Sequence, residues 1–307
     1  MYSNRIIQWI LYFFIYCFIG WVWETSYVSI RTRKLTNRGF MTGPFLPIYG
    51  FGVLSILLAT YPVRYQTVLI FFVGTLAATI LEYITGVAME AIFKVRYWDY
   101  SNQRFNVNGH ICLSSSIGWG VSSIVIVKGI HVPIAQMVAG IPNQIQEIIT
   151  IVLSVTMTAD FAMSVRDALD IREMLMNLRK NNEEIKKLQR RMDVLVAVLD
   201  DEAQNLKAKI EQAIEQRTDD EAAYFGKKIS AMKKRFEILE LRAKDIQRPE
   251  IGPELELLKE KLGSMLAKVE RPKSRAVKYT SRLLRRNPNA VSREFAEELN
   301  EMKDKKS

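Results

Sequence analysis

The first 165 residues hold five apolar stretches and only 16 charged side chains, 10 Lys/Arg and 6 Asp/Glu. The stretches cover about 6–30, 43–61, 67–93, 111–130 and 143–164. A helix rising 1.5 Å per residue needs roughly 20 apolar residues to cross a hydrocarbon core ~30 Å thick. Any one stretch alone fits a buried core helix, but five in succession with so few charges are a membrane pattern. The first begins close to Arg5 and lacks a small-residue cleavage site, so it reads as a retained helix. Residues 166–307 carry another 33 Lys/Arg and 27 Asp/Glu. A charge-starved half followed by a charge-saturated half excludes a uniform soluble enzyme, a secreted disulfide scaffold and a disordered chain. Two cysteines, Cys17 and Cys112, cannot build a disulfide framework, and two histidines cannot build a His-rich metal site. No metal or cofactor is expected. The net charge of +10 suits an anionic surface, and the apolar half points to membrane lipids rather than nucleic acid.

The loops give an orientation. Arg31, Arg33, Lys34 and Arg38 fall in the 31–42 loop, and Lys94, Arg96 and Arg104 in the 93–110 loop. The other two loops carry Arg64 alone and Lys128 alone. Lys and Arg stay on the cytoplasmic side. The N-terminus is therefore expected outside, and five crossings deliver residue 165 inside, next to the charged half.

Glu24, Glu82, Glu90 and Asp160 lie within or at the ends of these spans. A carboxylate in hydrocarbon costs at least a few kcal/mol, so such groups face a cavity, pair with a cation or take up a proton. Glu82 sits near the middle of the third span. Glu90, eight residues on, lies within one broad sector of the same helix. Glu24, Glu90 and Asp160 fall toward cytoplasmic helix ends and are expected at one depth. Snorkelling or pairing with Arg31, Arg38, Arg96 or Arg166 is the structural alternative.

Two polar stretches share the cytoplasmic face. NRGFMTGPFLPIYGFG at 37–52 has too many glycines and prolines for a regular helix. Irregular backbone at membrane depth persists where protein or a wet cavity satisfies it. RYWDYSNQRFNVNGHICL at 96–113 combines Asp99, Asn106, Asn108 and His110 with Tyr97, Trp98 and Tyr100. Its Asn and Gly residues suit a structured loop.

FIGWVWE at 18–24, NRGFMTGPFLPIYG at 37–50, LEYITGVAMEAIF at 81–93 and WDYS…FNVNGHICL at 98–113 together resemble a known family. It is the bacterial family of integral membrane proteins called Putative ABC-transporter type IV, and the resemblance runs over about residues 8–160. It implies a transporter-type membrane protein of the plasma membrane. The phosphate-cradling G-x-x-x-x-G-K-[ST] loop of an ATPase is missing from the chain, so any ATPase is expected to be a separate subunit.

From about 162 the pattern turns helical. Ile171, Leu178, Ile185, Met192, Leu199, Leu206 and Ala213 recur every seven residues, with Leu175, Asn182, Gln189 and Val196 among the companion positions. That is a coiled-coil seam with polar interruptions. Thr218 to Glu221 reads as a turn and capped helix start. Phe225, Ile229, Met232, Phe236, Leu239, Ala243 and Ile246 form a second seam, and a third helix covers about 253–270. A hairpin, a three-helix bundle or a homodimer through the first helix would each bury these stripes. The tail from 271 is basic.

The expected fold is all-α: a five-helix transmembrane bundle over 1–164, a cytoplasmic coiled-coil domain over 165–270 and a basic, partly disordered tail over 271–307. The leading functional expectation is a transporter or permease with a polar pocket open to the cytoplasm. Glu24, Glu82 and Glu90 would handle a cation, proton or cationic substrate, and Asn37, Asp99 and Asn106 would shape the mouth. Two rivals are an intramembrane enzyme using Asp99, Glu90 and His110, and a scaffold or sensor presenting the coiled coil. None of the familiar hydrolase motifs occurs.

Overall fold

The computed structural model describes residues 2–199, 233, 234, 236, 237, 240, 252–269 and 283–304. Two units are present. The first comprises Met1–Arg172 and Tyr279–Glu294, the second Glu173–Lys278 and Phe295–Ser307. Among the described residues the chain is helical, and β structure is limited to the isolated bridges Arg96↔Val291 and Val107↔Ile111.

In the first unit, α1 spans Tyr2–Thr32, α2 Pro47–Thr60 with a 3-10 turn Tyr61–Val63, and α3 Thr67–Phe93. Then follow α4 (Leu113–Val125), a π turn (Ile126–Ile130), α5 (His131–Ala139) and α6 (Asn143–Leu199). Among the described residues, four helical stretches are long and apolar enough to cross a membrane: Ile6–Thr32, Thr67–Phe93, Leu113–Ala139 and Asn143–Arg191. The second apolar stretch differs from the expectation. Pro47 opens it and Pro62 closes it, leaving Pro47–Val63 as a shorter apolar helix. Its 17 residues span about 25 Å at 1.5 Å per residue, short of the ~30 Å core.

Packing follows small residues. α3 buries Ile70, Gly74, Ala78, Glu82 and Gly86, one every fourth position. Its exposed face carries Phe72, Leu76, Ile80 and Ile84 at the same interval. The small stripe lets α4 approach closely, so a Cβ on Gly74 would run into Ser123 and one on Gly120 into Thr75. Glu82 stands in that stripe and thus faces protein. The π turn ends at Ile130, three residues before Pro133, which has no N–H to donate; His131 N–H closes the turn on Ile126 C=O.

In the second unit, α6 continues beyond Arg172 without a break, and α7 (Gly252–Val269) and α8 (Ala296–Asp304) follow. Leu175, Leu188, Phe236, Leu258 and Leu299 are buried. Leu188 is buried where the heptad pattern places the neighbouring Gln189, which is half-buried. The seam positions Leu206, Ala213, Phe225, Ile229, Met232, Leu239, Ala243 and Ile246, the Thr218 turn and tail residues 270–282 lie outside the described residues. Residues 283–294 of the basic tail belong to the first unit.

Candidate functional site

Glu82 is 6% exposed and is met from two directions. Ser115 and Trp119, one turn apart on α4, present the same face. Ser115 Oγ donates to Glu82 Oε2 at 3.3 Å and Trp119 Nε1 at 3.2 Å. Tyr100, from the loop after α3, donates to Oε1 at 3.2 Å. Burial, then the negative charge of Glu82, pushes the Tyr100 phenol up, so it stays the donor. Cys112 starts α4: its Sγ accepts from Ser115 N–H while Ser115 Oγ accepts from Cys112 N–H, a reciprocal cap that fixes Ser115.

A second network lies on α1 and α2. Tyr49 Oη donates to Glu24 Oε1 at 2.8 Å, and Arg38 Nε stands 3.9 Å from Glu24 Oε2. The Tyr49 ring is seated against Gly20 and lies 5.8 Å from the Trp119 ring. Tyr49 and Trp119 therefore form a shared wall between the Glu24 and Glu82 networks. Burial lowers the Arg38 guanidinium below its ordinary value, with Glu24 opposing.

The third network is made by a reversal. Lys94 adopts the left-handed conformation (φ 60°), ends α3 and turns the chain back. Arg96 then returns to Glu90: Nη2 lies 2.6 Å from Glu90 Oε2, and Nη1 lies 3.3 Å from Asp99 Oδ1. His110 Nε2 is 3.1 Å from the same Glu90 oxygen. Its ring sits against Gly86, where a Cβ would stand 2.9 Å from Nδ1. Burial opposes the charge on Arg96, but the bond to Glu90 and the charges of Glu90 and Asp99 outweigh it and raise the guanidinium. Burial and then Arg96 hold His110 below its ordinary value, Glu90 pulling the other way. For Asp99, burial is overcome by the Ser101 hydroxyl and N–H and by Arg96, so its carboxyl is held low.

The six residues expected to form the pocket are thus distributed. Glu90 and Asp99 meet on Arg96, while Glu24 and Glu82 occupy adjoining networks. Asn37 accepts from Trp21 Nε1 at 2.6 Å and donates to Thr42 C=O at 2.8 Å, bracing its own loop. Asn106 spans Ser101, Gln103 and Gly109 within the second loop. Asp160 goes elsewhere: its carboxylate accepts the Thr42 N–H at 3.1 Å and the Gly43 N–H at 2.7 Å, tying α6 to the first loop. The pattern of charges does not single out Tyr49, Tyr100, Ser115 and Trp119 as site residues. Tyr49 and Tyr100 do stand inside the two polar motifs. Among the described residues no group of three His, Cys, Asp or Glu side chains is placed to hold a metal.

The family model described as Putative ABC-transporter type IV matches residues 11–165. The chain belongs to this family. No curated protein and no solved structure matches it. The region matched to Putative ABC-transporter type IV contains all three carboxylate networks and stops before residues 283–294. Membership and the membrane-capable helices together make this a membrane protein of a transporter-type family.

Proposed function

We propose that the chain is the membrane subunit of a transporter whose polar pocket opens to the cytoplasm and takes a proton or a cationic solute. The observation that carries this reading is Glu82: a carboxylate within an apolar helix, turned into the protein and held by three neutral donors. An anion satisfied by neutral donors at membrane depth is an attractive stopping point for a cation. Glu24 and the aromatic wall of Tyr49 and Trp119 adjoin it, and aromatic faces favour cations. In this reading the N-terminus is outside, α2 together with the irregular loop before it makes the fifth crossing, and the charged second unit is cytoplasmic in the bacterial plasma membrane. A separate subunit supplies ATP hydrolysis, and the coiled coil serves assembly, including self-association.

The enzyme reading draws less support. Glu90 is engaged by Arg96 and His110, and Asp99 by Arg96 and Ser101, so neither carboxylate is poised to move a substrate proton. The test is reconstitution in proteoliposomes, alone and with any co-encoded ATPase, following internal pH and uptake of labelled organic cations. Flux that falls at least tenfold in Glu82→Gln supports the proposal. A protein that moves nothing, alone or with the ATPase, overturns it. Turnover in detergent that is lost in Asp99→Asn would establish the enzyme instead. Function that is lost only on deleting 166–307 would favour the scaffold.

A further inference from the structure

Residues 283–294 lie across both polar loops of the first unit. Asn287 is 2% exposed; its Nδ2 donates to Gly39 C=O at 2.9 Å, and its Oδ1 accepts from Arg38 Nη1 at 3.0 Å. Arg286 Nη1 donates to Thr42 Oγ1 at 3.0 Å. On the second loop, Arg96 and Val291 exchange both backbone hydrogen bonds, at 2.7 and 3.0 Å. Ser292 Oγ donates to Lys94 C=O at 2.6 Å, Glu294 pairs with Lys94 at 3.3 Å, and Arg293 reaches Asn108 C=O at 3.0 Å. Within the segment, structure is limited to a helical turn at 283–286 and the turn that Ala290 N–H closes on Asn287 C=O. Its order therefore comes from docking.

The contacts fall on particular residues. Arg38 is the cation beside Glu24, and Arg96 is the cation on Glu90. The segment grips the side chain of the first and the backbone of the second. It also brings Arg293 close enough to Glu90 and His110 to act on both electrostatically. We infer that residues 283–294 are a detachable latch, docked on the loop face to hold Arg38 and Arg96 against Glu24 and Glu90 and so close the cytoplasmic mouth. The inference rests on the pocket proposed above. Detachability rests on how little apolar surface holds the segment: Leu283, Leu284 and Ala290 are buried, its other contacts are polar bonds to loops, and segments with few buried apolar contacts open at low free energy. Its arginines also approach loops already rich in Arg and Lys, and like charge there opposes docking.

The test uses the full chain in inside-out vesicles, with Cys17→Ala and Cys112→Ser removing the native thiols. Ser292→Cys, a conservative change at a position 4% exposed, reports docking through its rate of labelling by a membrane-impermeant maleimide. Adding Asn287→Ala should accelerate labelling at least tenfold with helicity unchanged. An acceleration below twofold overturns the latch. The same Asn287→Ala chain should take up labelled organic cations at least twofold faster than its Asn287 parent, because the mouth is held closed less of the time. Uptake equal to or below that of the parent overturns the latch. If wild type also moves nothing, the transporter reading fails, and the labelling rates alone decide whether the segment detaches.

Discussion

Replacing Arg96 by Gln tests whether the third network is held by charge. The Arg96 side chain is 2% exposed and makes two ion pairs, at 2.6 Å to Glu90 and 3.3 Å to Asp99. A hydrogen bond to a charged group contributes about 1.5–3 kcal/mol, and breaking a fully buried pair costs roughly 3–5 kcal/mol. Glu90 and Asp99 are 24% and 26% exposed, so water can rehydrate them once the guanidinium is gone. That moves the expected loss to about 2–3 kcal/mol. The backbone bridge to Val291 needs no side chain and survives. Chemical denaturation of the purified protein in micelles reads the loss, and a double-mutant cycle with Glu90→Gln should return a coupling of at least about 1 kcal/mol. The same substitution should raise the pKa of His110, because Arg96 is, after burial, the strongest influence holding it down. With only two histidines in the chain, the imidazole titration is readable by NMR. A loss under 0.5 kcal/mol with zero coupling would refute the charge-based account.

Other consequences are equally concrete. Gly74→Val should destabilise the protein by about 1–3 kcal/mol through overpacking against Ser123, whereas Gly118→Val, with open space around it, should change stability little; thermal unfolding compares them. Asp160→Ala strips the Thr42 and Gly43 N–H groups of their acceptor and should make the 31–42 loop several-fold more sensitive to trypsin. Acidification should loosen the loop face. His110 and Asp99 are both held below their ordinary values of 6.5 and 3.8, so the folded state binds fewer protons than the unfolded chain. The His110 contribution is complete above pH 6.5 and is lost as pH falls through its lower folded value; the Asp99 contribution follows below about pH 4. The thermal midpoint of His110→Gln should therefore fall less than that of wild type between pH 6.5 and 5.

The period-four stripe through Ile70, Gly74, Ala78, Glu82 and Gly86 is open to reading along the chain, because helix geometry alone puts those residues on one face. That Glu82 points into protein follows from it. The extent of α2 is also legible, since Pro47 and Pro62 bound it, but a hydropathy count passes over such boundaries. The partners of the carboxylates are harder. Arg96 reaches Glu90 because a single residue, Lys94, takes a left-handed conformation, and nothing marks that lysine as a turn. Arg38 is fixed by Asn287, 249 residues away, and separation of that order leaves no periodic trace. Local pattern reports which face a residue occupies; it does not report which distant loop will arrive there.

One regularity links the networks. The helices supply the carboxylates Glu24, Glu90 and Asp160, while Arg38, Arg96 and the Thr42–Gly43 N–H pair come from loops, with Tyr49 of α2 the exception at Glu24. The charge balance of this face is therefore set by loop placement, and any movement of the two loops leaves anions behind on rigid helices. Glu82 stands apart, because two of its three described donors, Ser115 and Trp119, belong to α4 and would stay with it. Loop movement would remove only the Tyr100 bond. If the mouth opens by loop displacement, Glu82 is the carboxylate whose surroundings change least. Spectroscopic probes on α3 and α4 should then stay still while probes at Arg38 or Asp99 move. Concerted motion of all four would show that the helices, and not the loops, carry the change.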